Sequence, residues 1–344
     1  MNVILWYVLW GIASLQGMAV VYLVTCKILA NKRAGKGKAK YEEALPFFLE
    51  YFMTGDPSAR LAIKELRLGH EVSEKILMDY LKNIRSGDME RVQELAADLL
   101  SSKYKKELDS RKWSGRINAL YAIEKLKLDS CRGLLLKKLD TGKELLSEEN
   151  IQTMKALASL NEQCLFDVML ENDMPERVLE ELLMRYDLQH MEESIRMAES
   201  TDNKTFRRAV LRMIANKGLH AGFMFAEQQL QSPDSETRLR ALQAYSSMNY
   251  MVDPDKISPF LTSPVWQERM YAARICGKLK LERFKPDLSR LIADRVWWVR
   301  YHAGEAISRL KDGDVVLRYL AEEHEDRFAR DMARQWAASG GGIE

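Results

Sequence analysis

Beyond about Tyr41, apolar residues recur at spacings of three and four. The clearest stripes are Ala241, Ala244, Tyr245 and Met248, then Ala272, Ile275, Cys276 and Leu279, then Ala303, Ala306, Ile307 and Leu310. Each stripe is one face of an amphipathic helix, and its small first residue suits close approach to a neighbour. A shared phrase precedes each stripe: Ser232-Pro-Asp-Ser-Glu-Thr-Arg-Leu-Arg-Ala241, Ser263-Pro-Val-Trp-Gln-Glu-Arg-Met-Tyr-Ala272 and Asp294-Arg-Val-Trp-Trp-Val-Arg-Tyr-His-Ala303. Its arginines, Arg238, Arg269 and Arg300, stand 31 residues apart. A fixed period of this size marks one unit stacked repeatedly on itself. Ser232, Ser263 and Asp294 read as helix N-caps, with Pro233 and Pro264 at the first helical position. A shorter apolar segment closes each unit, at 286–293 and 314–321, after joints brief enough to predict antiparallel helix hairpins. One stripe per helix cannot be buried within a hairpin, so the units must stack.

The phrase recurs upstream. Ser110-Arg-Lys-Trp-Ser-Gly-Arg-Ile-Asn-Ala119 carries Trp113 and Arg116, with Leu120, Ala122, Ile123 and Leu126 as its stripe. A copy 34 residues on has Ile151, Ala156, Leu157 and Leu160, with Asn150 replacing the arginine. Thr205 to Ile214 reads as a weaker copy, and Asp56-Pro57 to Leu66 as the start of the series. The expected fold is all-α: a right-handed α-solenoid over 41–344, clearest at 110–140 and 232–325, with repeat boundaries left open between 162 and 231. The Asp-x-x-Trp-x-Val-Arg-x-x-Ala form of Asp294 to Ala303 resembles HEAT repeats. The period of 31 falls short of the roughly 40 of ordinary HEAT units and is similar to the short phycobilisome-lyase-type subgroup. The resemblance implies an armadillo-like α-solenoid and, usually, protein binding.

The first 26 residues carry no charged side chain, and Val3 to Cys26 is a run of 24 uncharged, mostly apolar residues. At ~1.5 Å per residue it reaches about 36 Å as a helix, against a hydrocarbon core of about 30 Å. Trp6, Tyr7 and Trp10 near one end and Tyr22 toward the other suit interface anchors. Met1-Asn2 lacks the basic leading region of a cleaved signal. A lipoprotein signal would use Leu23-Val-Thr-Cys26, where Thr25 is larger than such signals carry. A retained transmembrane anchor over 1–26 is therefore expected. Lys27, Lys32, Arg33, Lys36, Lys38 and Lys40 follow without an acid among them, in a linker at 27–40 that Gly35 and Gly37 should loosen. Positive-inside bias places the N-terminus outside the cell membrane and the repeats in the cytoplasm, the cations resting on anionic headgroups.

The formal charge of +2 hides an asymmetry, because without those six cations 46 basic residues face 50 acids. A body near −4 is a poor footprint for nucleic acid. Cys26, Cys131, Cys164 and Cys276 show no CxxC pairing and read as reduced thiols. His70, His190, His220, His302 and His324 are scattered, with no HExxH and no cysteine at metal-ligand spacing. Gly35-Lys-Gly-Lys lacks the remainder of a phosphate-binding loop, and no Gly-x-Ser-x-Gly elbow occurs. No catalysis, metal, cofactor or small-molecule substrate is expected. The expected function is a membrane-tethered scaffold that binds a protein partner, such as a membrane-bound enzyme complex, at the cytoplasmic face. Two alternatives stand: a bilin-lyase-like enzyme, implied by the resemblance, and a nucleic-acid-binding HEAT-like protein.

Specific positions carry roles in this reading. Trp113, Trp266 and Trp297 should pack between units, and Arg116, Arg238, Arg269 and Arg300 should contact the neighbouring unit or cover apolar surface with their stems. Trp298, out of register with the other repeats, is a candidate exposed anchor for a partner. Arg240, Tyr271 and His302 should form an outward ridge on the convex face. Asp287, Arg290, Arg318 and Glu322 should line the concave face, and the first three, with Tyr271 and His302, are further candidate contacts for a partner.

Overall fold

The computed structural model describes the backbone of residues 2–83, 89–140, 142, 144–248 and 253–339; within 2–34 it describes side chains only at 16, 18, 21–25 and 27. All regular structure among these residues is helical. The chain forms two compact units, 1–139 and 140–344.

In the first unit, α1 (Asn2–Thr54) is followed by α2 (Pro57–Glu65), α3 (His70–Asn83), α4 (Met89–Leu108), α5 (Trp113–Leu126) and α6 (Arg132–Lys138). Helix α1 packs on α2, α3 and α4, and α4 packs on α5. Phe48 and Phe52 are wholly buried, and the Phe52 ring stacks on Tyr80 with centroids 4.1 Å apart. Asp56 caps α2 by accepting from the Ser58 N–H at 2.8 Å, and Pro57 occupies the first turn, where no N–H is needed. The linker expected at 27–40 is helical throughout, part of α1, with Gly35 and Gly37 inside it. Among the described residues no helix is long and apolar enough to cross a membrane. The anchor expected at 1–26 falls mostly on side chains outside the described set.

The second unit contains α7 (Glu148–Ser159), α8 (Leu165–Glu171), α9 (Glu176–Leu183), α10 (Leu188–Ser200), α11 (Lys204–Lys217), α12 (Phe223–Gln229), α13 (Ser235–Ser247), α14 (Trp266–Lys278), α15 (Lys285–Leu291), α16 (Trp297–Arg309), α17 (Gly313–Glu323) and α18 (Arg327–Ser339). The longer helices pack in succession: α9 on α11, α11 on α13, α13 on α14, α14 on α16 and α16 on α18. The phase of the apolar stripes explains this order. Ala241, Ala272 and Ala303 are fully buried, and so are Ala244, Ile275, Cys276, Ala306 and Ile307 to within 1%. Burial raises the Cys276 thiol to about 12, which keeps it protonated and inert. Helices α14 and α16 meet so closely that a Cβ on Gly277 would lie 2.5 Å from Ala306 Cα.

Three details depart from the sequence reading. First, the N-caps are Asp234, Val265 and Val296, not Ser232, Ser263 and Asp294. The latter three side chains close a turn two residues earlier, accepting the N–H of Asp234, Val265 and Val296 at 3.3, 3.1 and 2.8 Å. Short hydroxyl and carboxylate groups favour this local turn, so Pro233 and Pro264 lie before the helix rather than in its first turn. Second, the weak copy begins at Thr201, 31 residues before Ser232. Thr201 Oγ1 accepts from Asn203 N–H at 3.2 Å, Asn203 caps α11, and Arg207 is the repeated arginine. Third, a further copy stands at His324-Glu-Asp-Arg-Phe-Ala-Arg-Asp-Met-Ala333. His324 Nδ1 accepts from Asp326 N–H at 3.0 Å, and α18 starts just after.

Candidate functional site

Arg207 donates from Nε to the Ala198 carbonyl at 3.3 Å, but in five other copies the repeated arginine has one shared task and a second that varies. Its Nη1 group reaches back to the carbonyl six residues earlier. The pairs are Arg116 to Ser110 at 2.9 Å, Arg238 to Ser232 at 2.9 Å, Arg269 to Ser263 at 2.7 Å, Arg300 to Asp294 at 2.8 Å and Arg330 to His324 at 2.6 Å. These carbonyls belong to the turn before the helix and have no intrahelical partner, so the guanidinium ties each turn to its own helix. Asn150 does this in α7 with its amide, donating to the carbonyls of Leu145 and Asp140 at 2.9 and 2.6 Å.

The second task links units. Arg238 Nε meets Glu268 of the following repeat at 3.0 Å. Arg269 grips Asp294 of the next repeat with two parallel bonds, at 2.7 and 2.9 Å, where both side chains are under 10% exposed. Among the described residues Arg300 pairs with no acid of the next repeat; its guanidinium lies over the Phe328 ring, 5.2 Å from the centroid, and its Nε is buried without a hydrogen bond. Burial alone would raise the Asp294 carboxyl, but the bonds from Arg269 and Val296 N–H outweigh it and hold the group below its ordinary value.

At α16 and α18 this framework carries exposed aromatic surface. Trp298 is 52% exposed, Trp297 44% and Phe328 63%. Trp297 stacks on Tyr301 at 5.1 Å and meets Trp298 edge-on at 4.7 Å, while Trp336 meets Tyr301 edge-on at 5.0 Å. Close packing behind holds the group in place, since a Cβ on Gly304 would strike Trp336 Cδ1 at 2.4 Å. The expectation that every repeated tryptophan packs between units does not describe Trp297, nor Trp113 at 49% exposure; Trp266 is half-buried. The ring sits in the first turn, whereas the alanine six residues on is fully buried.

The expected outward ridge is not a free one. Arg240 is half-buried and bound to Glu176 at 2.7 Å and Gln243 at 3.3 Å. Tyr271 accepts from Gln243 Nε2 at 3.1 Å, and His302 Nδ1 lies 2.8 Å from Glu305 Oε2. That bond, with Arg309 and Arg274 nearby, lowers the Glu305 carboxyl. On the short helices, Arg290 pairs with Asp287 and Arg318 with Asp314, each on its own helix, while Glu322 is exposed. These residues are not brought together into one site. On α1, Lys27, Lys36, Lys38 and Lys40 are exposed, and Lys38 lies 3.8 Å from Glu42. The side chains of Lys32 and Arg33 lie outside the described set. Among the described residues no three His, Cys, Asp or Glu side chains gather as a metal site.

No protein-family model matches the chain, and no curated protein matches it. Solved structures similar to it include crystal structures of two engineered proteins. One is 17% identical, with 88% of this chain and 95% of its own covered, at a TM-score of 0.39. The other is 18% identical, with 79% and 98% covered, at a TM-score of 0.24. The class that the fold defines is an all-helical protein of many short helices.

Proposed function

We propose that this protein is a membrane-tethered scaffold built as a HEAT-like α-solenoid, which holds a protein partner at the cytoplasmic face of the cell membrane. The observation that carries the binding role is the exposed Trp297, Trp298 and Phe328 surface on α16 and α18. Rigid aromatic side chains are the residues that most often dominate protein interfaces, because they bury large area at low entropic cost. The tether rests on the uncharged run at 1–26 and the cations after it; the orientation follows from the positive-inside bias.

The binding role is tested by photo-crosslinking on intact membranes, with a photoreactive residue placed at Trp298. A discrete protein adduct is expected there, but not from Arg318. Trp298→Ala should abolish partner retention at an unchanged melting temperature. Adducts of equal yield from both positions would refute the role. Topology is tested with a thiol introduced at Gly340 in a cysteine-free background. An impermeant reagent should label it only after lysis, and labelling in intact cells would place the repeats outside.

A further inference from the structure

The second unit carries a polar groove of about 350 Å³ between α11, α13 and α14, whose charges are incompletely matched. Arg212 and Arg240 line it, and both lean on acids of α9, Arg212 Nε on Glu180 at 2.7 Å and Arg240 Nε on Glu176 at 2.7 Å. Arg274, on the opposite wall, is exposed and makes no hydrogen bond or ion pair among the described residues. Glu305, whose carboxyl Arg274 helps to lower, is already engaged by His302 at 2.8 Å and Arg309 at 2.7 Å. One turn beyond Arg274, Lys278 donates to the Ser246 carbonyl at 2.8 Å. Burial, then Arg274 and Arg309, hold that ammonium below the usual lysine range, as expected where cations crowd without enough anions. Tyr271 oxygen accepts from Gln243, which leaves its own hydrogen for an acceptor in the groove.

We propose that this groove binds an acidic peptide segment of a protein partner, with one carboxylate on the Arg274 guanidinium and the Tyr271 hydroxyl. The inference rests on the scaffold reading and gives that scaffold a second contact. An unpaired, planar guanidinium matches a carboxylate with two parallel bonds. A nucleic-acid strand fits less well. Glu176, Glu180 and Glu305 flank the groove and repel a continuous phosphate backbone. A peptide with spaced carboxylates can place one at Arg274 and keep others off the glutamates.

The experiment uses the full chain in a non-ionic detergent and fluorescein-labelled peptides of four Glu-Gly or four Gln-Gly units, read by anisotropy. The glutamate peptide should bind, more weakly as salt rises, and the glutamine peptide at least about tenfold more weakly. Arg274→Ala should lose about tenfold or more in affinity, the range for a charged hydrogen bond, with the melting temperature unchanged. Arg274→Lys should recover part of the loss, Tyr271→Phe should lose less, and Arg318→Ala nothing. Equal binding of both peptides, or wild-type affinity in Arg274→Ala, would overturn the proposal. So would tighter binding of a single-stranded oligonucleotide, or saturation by inorganic phosphate with no peptide bound. A partner that still crosslinks at Trp298 while the peptide fails would sink the groove and leave the scaffold standing.

Discussion

At the scale of the residue, Arg269 and Asp294 form a buried charge pair held by two parallel bonds. Each group is desolvated, and each satisfies the other while also holding backbone: Arg269 the Ser263 carbonyl, Asp294 the Val296 N–H. Removing one partner strands a buried charge, so Arg269→Ala should cost about 3–5 kcal/mol, measured by urea titration. Asp294→Asn keeps shape and loses charge, and should cost less. The pH dependence follows from the sign of the shift. Asp294 and Glu305 both have folded values below their ordinary ones. Their stabilisation is complete above the unfolded carboxylate range of about 4 and is lost as pH falls through the lower folded values. Melting temperatures measured from pH 6 to pH 2.5 should therefore fall less steeply for Asp294→Asn than for the wild type. Parallel curves would show that Asp294 is no better stabilised folded than unfolded.

At the scale of the element, helix contacts depend on small residues at fixed places. Gly277 sits against the backbone of Ala306, which cannot retreat without moving α16. Gly277→Ala should destabilise by about 1–3 kcal/mol despite its better helix propensity, because overpacking outweighs it. A gain in melting temperature would show that α14 and α16 can part at little cost. Ala272→Asp and Ala303→Asp bury an unpaired carboxylate and should be more damaging still. Arg318→Ala, which removes an exposed pair with Asp314 on the same helix, should change stability by less than about 0.5 kcal/mol. Arg240→Ala belongs between these extremes, since it strips Glu176 of its closest cation.

At the scale of the whole molecule, the division into 1–139 and 140–344 predicts that the second unit folds alone. Every stripe from α7 to α18 has its neighbour within that unit. Residues 140–344 should give a strongly helical circular dichroism spectrum and a cooperative melt. The loss caused by Arg269→Ala should be the same there as in the full chain. A fragment without a cooperative transition would mean that the two units depend on one another.

The helical class, the period of 31 and the buried alanine phase were legible because periodic burial must be written in periodic apolar residues. So was the guanidinium repeat, as a pattern without a mechanism. Thr201–Val210 and His324–Ala333 carry neither the Pro at the second place nor the Trp at the fourth that marks the clear phrases, so the first reads four residues late and the second does not stand out. In the first the tryptophan is absent, and in the second Phe328 stands one residue later than the usual ring. The true signal was a group with an acceptor six residues before an arginine, and its meaning lay in a carbonyl, which no side-chain pattern displays. What only the tertiary structure decided were the partners across repeats. Glu268, Asp294 and Phe328 receive three successive arginines by different chemistry, and Arg240 is tied to Glu176, 64 residues earlier. Such pairings depend on which helices become neighbours, and so does the charge imbalance at Arg274. A single sequence fixes what each helix must bury, while the groups left facing one another are settled by how the helices pack.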